Sequence, residues 1–196
     1  MSTHYQKTLY LVRAAVIAAL YVVLTYLASL FGLSGQGLVQ VRFSEMLCIL
    51  PYFTSAAIPG LTIGCLLANL LTGALPMDIV FGTLATLLGA IGSWLLRKYR
   101  FLVPLPPIVA NTVIVPFVLR YAYELPDAFW LLFVTVGAGE IISVGILGTM
   151  LLLSLEHYRR PLFGAAGKPK NAAPDEAAPA EDAPAEDVPY KDETAE

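Results

Sequence analysis

Long apolar runs, broken at short intervals by proline, glycine or an isolated charge, make up most of this chain. A run of roughly 17 to 25 apolar residues is what an α-helix needs to cross a bilayer core of about 30 Å. Six runs follow one another. The first extends from Tyr10 to Phe31, with Arg13, Thr25, Ser29 and tyrosine hydroxyls as its interior polar groups, and Gly32 to Gly37 ends it. A second, shorter run starts near Arg42 and stops at Pro51, because the loop from Tyr52 to Pro59 has prolines at both borders. The third covers Ile58 to Ala74. Pro76 opens the fourth, where its missing N–H costs nothing in a first helical turn, and the basic group Arg97, Lys98 and Arg100 closes it. Pro106 to Tyr123 forms the fifth, with a bend expected at Pro116, and Phe129 to Leu155 the sixth. The pattern predicts an all-α integral membrane protein, with a six-helix domain over residues 1–162.

Composition agrees: 57% hydrophobic and 14% charged residues are unlike an ordinary soluble domain. The charge is also unevenly placed. Residues 163–196 hold nine acidic side chains and three lysines, whereas residues 1–162 hold nine basic and six acidic ones. The sequence Ala-Pro-Ala-Glu-Asp occurs twice in that tail, at Ala178 to Asp182 and Ala183 to Asp187. With so little apolar bulk the tail cannot offset the entropy of ordering, and a disordered acidic extension is expected. Six spans place both ends on one side of the membrane. Lys7, Arg13, Arg97, Lys98, Arg100, Arg159 and Arg160 then share that side, against Arg42 and Arg120 opposite, which predicts cytoplasmic termini. The first run is too long for the apolar region of a cleavable signal and is expected to stay.

Ionisable groups inside spans cost on the order of 3 kcal/mol at the helix centre, so they are candidates for function. They are Arg42, Glu45, Asp78 and Glu140, joined by the amides Asn69 and Asn111. Counting helix rise places all but Asn111 toward a cavity that opens outward, with Asn111 in the inner half of its span. Structural readings stand beside the functional ones. Arg42 and Glu45, three residues apart, could form an interfacial ion pair; Asp78 could cap a helix; the asparagines could bond neighbouring helices. Nothing structural obviously calls for Glu140. Thr62, Cys65, Asn69 and Thr72 form a polar strip on the third run, and Cys48 and Cys65 read as buried, reduced thiols. Ala14 with Ala18 and Ala15 with Ala19 are small-x-x-x-small pairs that would let another helix approach the first one closely.

No G-x-x-x-x-G-K-[ST] loop, H-E-x-x-H or G-x-S-x-G occurs, and His4 and His157 lie outside the spans. ATP hydrolysis by a phosphate loop is therefore excluded, and no cofactor is called for. A binding subunit for transport, a carrier coupled to cations on its own, and an enzyme built on Glu45, Asp78 and Glu140 remain as readings of these residues.

The stretches VRFSEMLCILPYFTSAAIPGLTIGCLLANLLTG at Val41 to Gly73, DIVFGTLATLLGA at Asp78 to Ala90, PLPPIVANTVIV at Pro104 to Val115 and VGAGE at Val136 to Glu140 together resemble the QueT family. That family comprises queuosine-precursor transporters, the substrate-binding (S) components of energy-coupling factor transporters. The resemblance covers roughly residues 8–160. It implies capture of a 7-deazaguanine such as preQ1 or preQ0 from outside a bacterial cell membrane. Delivery inward would need a transmembrane coupling subunit and two ATP-binding subunits. It also implies a docking role for Ala14, Ala15, Ala18 and Ala19, since S components of this class carry an A-x-x-x-A contact motif in the first helix. For a guanine-like ligand, one carboxylate, Glu140 or Glu45, is expected to accept from N1–H and the exocyclic amine. Asn69 or Asn111 would meet the carbonyl or ring nitrogens, and Tyr52, Phe81 or Trp130 would stack on the ring. Asp78 or Glu45 would meet a cationic substituent, with Arg42 in the same outward-facing set.

Overall fold

The computed structural model describes residues 3–31, 42–124 and 128–163, and every regular element among them is helical. The loop Gly32 to Gly37 and the acidic tail beyond Phe163 lie outside the described residues. In chain order come α1 (Thr3–Leu30), a 3-10 segment (Phe43–Tyr52), α2 (Ala57–Leu71), α3 (Pro76–Leu95), a 3-10 turn (Arg100–Leu102), α4 (Leu105–Tyr121), α5 (Phe129–Glu140), a π segment (Ile141–Gly148), α6 (Thr149–His157) and α7 (Arg159–Phe163). Four stretches are long and apolar enough to cross a membrane: His4–Leu30, Pro76–Leu95, Arg100–Tyr121 and Phe129–His157. Phe43–Tyr52 and Ala57–Leu71 are apolar but shorter. Leu11, Val16, Val23, Val80, Val134 and Met150 are each more than half exposed, while Glu45, Asp78, Asn111 and Glu140 are buried. Such an inside-out distribution suits a lipid surround.

Two of the expected helices differ from the α form. The second run is a 3-10 helix, whose rise of about 2 Å per residue carries its ten residues through about 20 Å, where an α-helix would cover about 15 Å. The sixth run is continuous from Phe129 to His157 but widens to π geometry over Ile141–Gly148. These two irregular segments pack against each other, and the 3-10 segment also touches α1, α2 and α3. It is the central element of the bundle, buried at Ser44, Glu45, Leu47 and every residue from Cys48 to Tyr52.

Glycines set the close approaches. A Cβ at Gly60 would lie 2.7 Å from the Ala14 carbonyl oxygen, and one at Gly64 2.8 Å from Tyr21 Cβ, so α1 and α2 touch backbone to backbone. Gly89 meets Pro107 of α4 in the same way, at 2.7 Å from its Cα. Beside them, Ser93 Oγ donates to the Val103 carbonyl at 2.7 Å and pins the turn between α3 and α4.

At the end of the bundle carrying Tyr52, its hydroxyl donates to Glu156 Oε1 at 3.1 Å, Arg100 pairs with Glu156 at 3.5 Å, and Arg159 lies over the Tyr52 ring at 5.5 Å. Phe163, assigned to the tail by composition, belongs to α7 and stacks on Phe53 with centroids 4.9 Å apart. Arg13 Nη2 donates to the Leu162 carbonyl at 3.2 Å and ties α1 to the same corner.

Candidate functional site

Polar groups from α1 to α5 and from the 3-10 and π segments converge inside the bundle at the end opposite Tyr52. They form two tiers. The outer one is built where α2 stops and α3 starts. Gly73, at φ +70, ends α2 in a left-handed turn that few other residues adopt, and the Ala74 N–H closes it on the Asn69 carbonyl at 3.0 Å. Pro76 then opens α3, with Asp78 in its first turn. Asn69 Nδ2 donates to the Asp78 carbonyl at 3.4 Å, Tyr123 Oη donates to Asp78 Oδ2 at 3.0 Å, and Arg42 pairs with the same oxygen at 4.0 Å. Asp78 Oδ1 is buried without a partner. Gly82, one turn further along α3, leaves the room for this packing: a Cβ there would sit 3.0 Å from Asp78 Oδ1 and 3.3 Å from Asn69 Nδ2.

The inner tier surrounds Glu45, which is 1% exposed on the first turn of the 3-10 segment. Three donors reach its carboxylate. Tyr21 of α1 donates to Oε1, and Cys48 Sγ at 3.1 Å and Asn111 Nδ2 of α4 at 3.3 Å donate to Oε2. Cys65 of α2 has Tyr21 and Thr86 as neighbours. Glu140, at the junction of α5 with the π segment, has Glu45, Asn111 and Arg42 as its electrostatic neighbours. Its Oε2 is buried with no partner, and so is the hydroxyl of Ser143, three residues on. Buried carboxylates are ordinarily bonded, and leaving one oxygen open costs on the order of 1–3 kcal/mol. The tier thus holds acceptors in excess of donors, which suits a ligand rich in N–H groups.

Several expectations change here. Arg42 pairs with Asp78, not with Glu45, because the 3-10 rise carries Glu45 inward beside Tyr21. Asp78 does not cap its helix; its Oδ2 meets Tyr123 and Arg42. Asn111 was expected apart from the others, yet it meets Glu45. Asn111 lies about 15 Å along α4 from Tyr121 and Glu140 about as far along α5 from Phe129, so they share a level. Tyr52 lies at the other end of the bundle with Glu156 and takes no part in the cluster. Trp130 is 68% exposed and does not reach it. Phe81 is partly exposed and lines an apolar crevice of about 350 Å³ between α3 and α4 with Met77, Val113, Ile114, Phe117 and Val118. Ala14 and Ala18 are buried against Gly60 and Gly64, whereas Ala15 and Ala19 are exposed, so the four alanines do not form one free face.

Sequence reasoning missed Tyr21 and Tyr123. A tyrosine in an apolar run carries little signal, but Tyr21 continues the buried stripe Ala14, Ile17 and Ala18 at helical spacing. Burial and then the Asp78 carboxylate push the Tyr123 phenol above its ordinary value of 10, so it remains a donor at neutral pH. Among the described residues, no three His, Cys, Asp or Glu side chains lie so as to hold a metal ion.

A curated relative from Lactococcus lactis subsp. cremoris, described as queuosine precursor transporter QueT, is 41% identical over 81 residues, 41% of this chain and 47% of the relative. The match therefore spans about half the length of that relative. No solved structure matches the chain. The family described as QueT transporter matches residues 11–157, a stretch that includes both tiers and runs from α1 to the end of α6, and the chain belongs to that family.

Proposed function

We propose that this protein is the substrate-binding membrane subunit of an uptake system for a queuosine precursor, a 7-deazaguanine such as preQ1 or preQ0. The observation that carries this reading is the open, buried carboxylate oxygen of Glu140 beside Glu45 and Asn111. A guanine edge offers N1–H and an exocyclic amine side by side, two donors that one carboxylate accepts together. The description of the Lactococcus relative names the same class of solute. Catalysis is a poorer fit, since the thiol that meets these acids, Cys48 on Glu45, is fully buried and shares that carboxylate with Tyr21 and Asn111.

In this reading the chain crosses a bacterial cell membrane six times, the two shorter apolar helices included, and both termini face the cytoplasm. The 3-10 rise supports the short second crossing, and the grouping of Arg13, Arg100 and Arg159 at one end supports the orientation. Both tiers then open toward the outside. The sequence holds no phosphate loop, and in this reading the energy is supplied by a transmembrane coupling subunit and two ATP-binding subunits.

Equilibrium binding to the purified protein tests the reading, with preQ1, preQ0 and guanine set against riboflavin and thiamine. Binding of a 7-deazaguanine at about 1 μM or tighter, roughly −8 kcal/mol, with none for the vitamins is the expected result. Equal binding of all five, or of none, would overturn it. Co-purification of ATP-binding subunits distinguishes this system from a carrier that works alone.

A further inference from the structure

The two inner carboxylates differ in how much of their bonding capacity is already used. An ionised carboxylate offers about four lone-pair positions. At Glu45 three donors from three elements occupy them: Tyr21, Cys48 and Asn111. That leaves its orientation fixed by α1, α4 and its own helix, with little capacity for a ligand. Glu140 is buried to a similar depth, but its Oε2 meets no donor. Ser143 adds a second open group on the same helix, its hydroxyl 1% exposed and unpartnered. Both lie at the switch of helix type. Glu140 ends the α geometry and Ser143 lies in the first turn of the π segment, a widening that recurs where helices line functional sites.

We propose that Glu140 is the specificity-determining acceptor for the donor edge of the ligand, with Ser143 beside it, and that Glu45 is a positioning residue that holds Asn111 in place. This inference rests on the reading of the protein as a 7-deazaguanine binder and assigns roles within that site. A bound N1–H and exocyclic amine supply the donors that Glu140 Oε2 lacks. The site then discriminates by that edge, since an analogue without the amine leaves the buried acceptor open again.

The test compares 7-deazaguanine with 7-deazahypoxanthine, which differs by loss of the exocyclic amine, on the unaltered protein, Glu140→Gln and Glu45→Gln. The unaltered protein is expected to prefer 7-deazaguanine at least tenfold. Glu140→Gln presents an N–H₂ toward one of the ligand's donors and should bring that ratio close to one. Glu45→Gln should weaken both ligands by similar factors and keep the ratio, an outcome that a loss of direct contact would not give. Glu140→Asp retains both acceptor oxygens and should keep the preference at reduced affinity, which decides the matter if Glu140→Gln does not fold. A ratio that persists in Glu140→Gln, an affinity unchanged in Glu140→Asp, or a ratio that collapses in Glu45→Gln overturns the assignment while leaving the proposed function standing. Failure of the unaltered protein to bind either compound removes the functional reading and the assignment with it.

Discussion

Tyr21 donates its hydroxyl proton to Glu45 Oε1 across the contact between α1 and the 3-10 segment. Both side chains are almost fully buried, at 2% and 1% exposure, so loss of the hydroxyl would take from Glu45 Oε1 the donor it has in the fold. Hydrogen bonds to charged groups contribute about 1.5–3 kcal/mol. Tyr21→Phe is expected to lower the unfolding temperature in detergent and to weaken precursor binding about tenfold, equivalent to about 1.4 kcal/mol. Thermal unfolding followed by titration of the same sample checks both. Unchanged affinity in a variant of reduced stability would show that alignment of Glu45 does not reach the ligand.

Gly82 tests the outer tier without replacement of a polar side chain. The methyl of Gly82→Ala would press on Asp78 Oδ1 from 3.0 Å and on Asn69 Nδ2 from 3.3 Å. An exposed helical glycine would gain up to about 1 kcal/mol on the same change, through helix propensity. Here displacement of Asp78 from Arg42 and Tyr123 should outweigh that gain, and ligand binding should weaken severalfold with little change in helix content by circular dichroism. Binding equal to that of the unaltered protein would mean that the outer tier is not part of the site.

The cost of burying charge explains why so much of the site could be read from the sequence. Glu45, Asp78, Asn111 and Glu140 stand out because a polar side chain in an apolar run needs a reason. Their partners do not stand out. Tyr21 is half apolar, and only its place on the buried stripe of α1 separates it from exposed Tyr26. Helix type was equally hidden, since Phe43–Tyr52 is apolar on most sides and offers no period from which 3-10 or α geometry could be told. No pattern in the sequence singles out which aromatic lies near the charged positions. In space Tyr52 belongs to the Glu156 corner, and Trp130 faces outward. Ala14 and Ala18 show the same limit: small residues mark a close approach, and only the fold says that Gly60 and Gly64 make it.

Tyr123 gives the alkaline side a signature. Its phenol is held above the ordinary value of 10, by burial first and by Asp78 second, so folding favours the protonated form. The stability this contributes is complete below pH 10 and is lost as pH rises through the higher folded value. The difference in unfolding temperature between the unaltered protein and Tyr123→Phe should therefore be constant from pH 7 to 9 and shrink above about pH 10. A difference that grows with pH would contradict the donation from Tyr123 to Asp78.

If the proposed coupling subunit docks on α1, the fold leaves it only two of the four alanines. Ala14 and Ala18 face α2, where Gly60 and Gly64 already bring the backbones together, so Trp at either position has no space to enter. Overpacking of this kind costs about 1–3 kcal/mol or more, and the double variant Ala14→Trp, Ala18→Trp should lose ligand binding, assembly and thermal stability together. Ala15 and Ala19 are exposed one helical turn apart, and a small-residue pair there lets a partner helix approach closely. The double variant Ala15→Trp, Ala19→Trp should bind the precursor as the unaltered subunit does and keep its unfolding temperature. Its recovery of ATP-binding subunits in a pull-down should fall at least tenfold, and uptake by cells should fall with it. The contrast between the two pairs matters more than either alone, because a general intolerance of bulk in α1 would make them behave alike. Normal assembly of the Ala15→Trp, Ala19→Trp variant would exclude this face of α1 as the coupling surface.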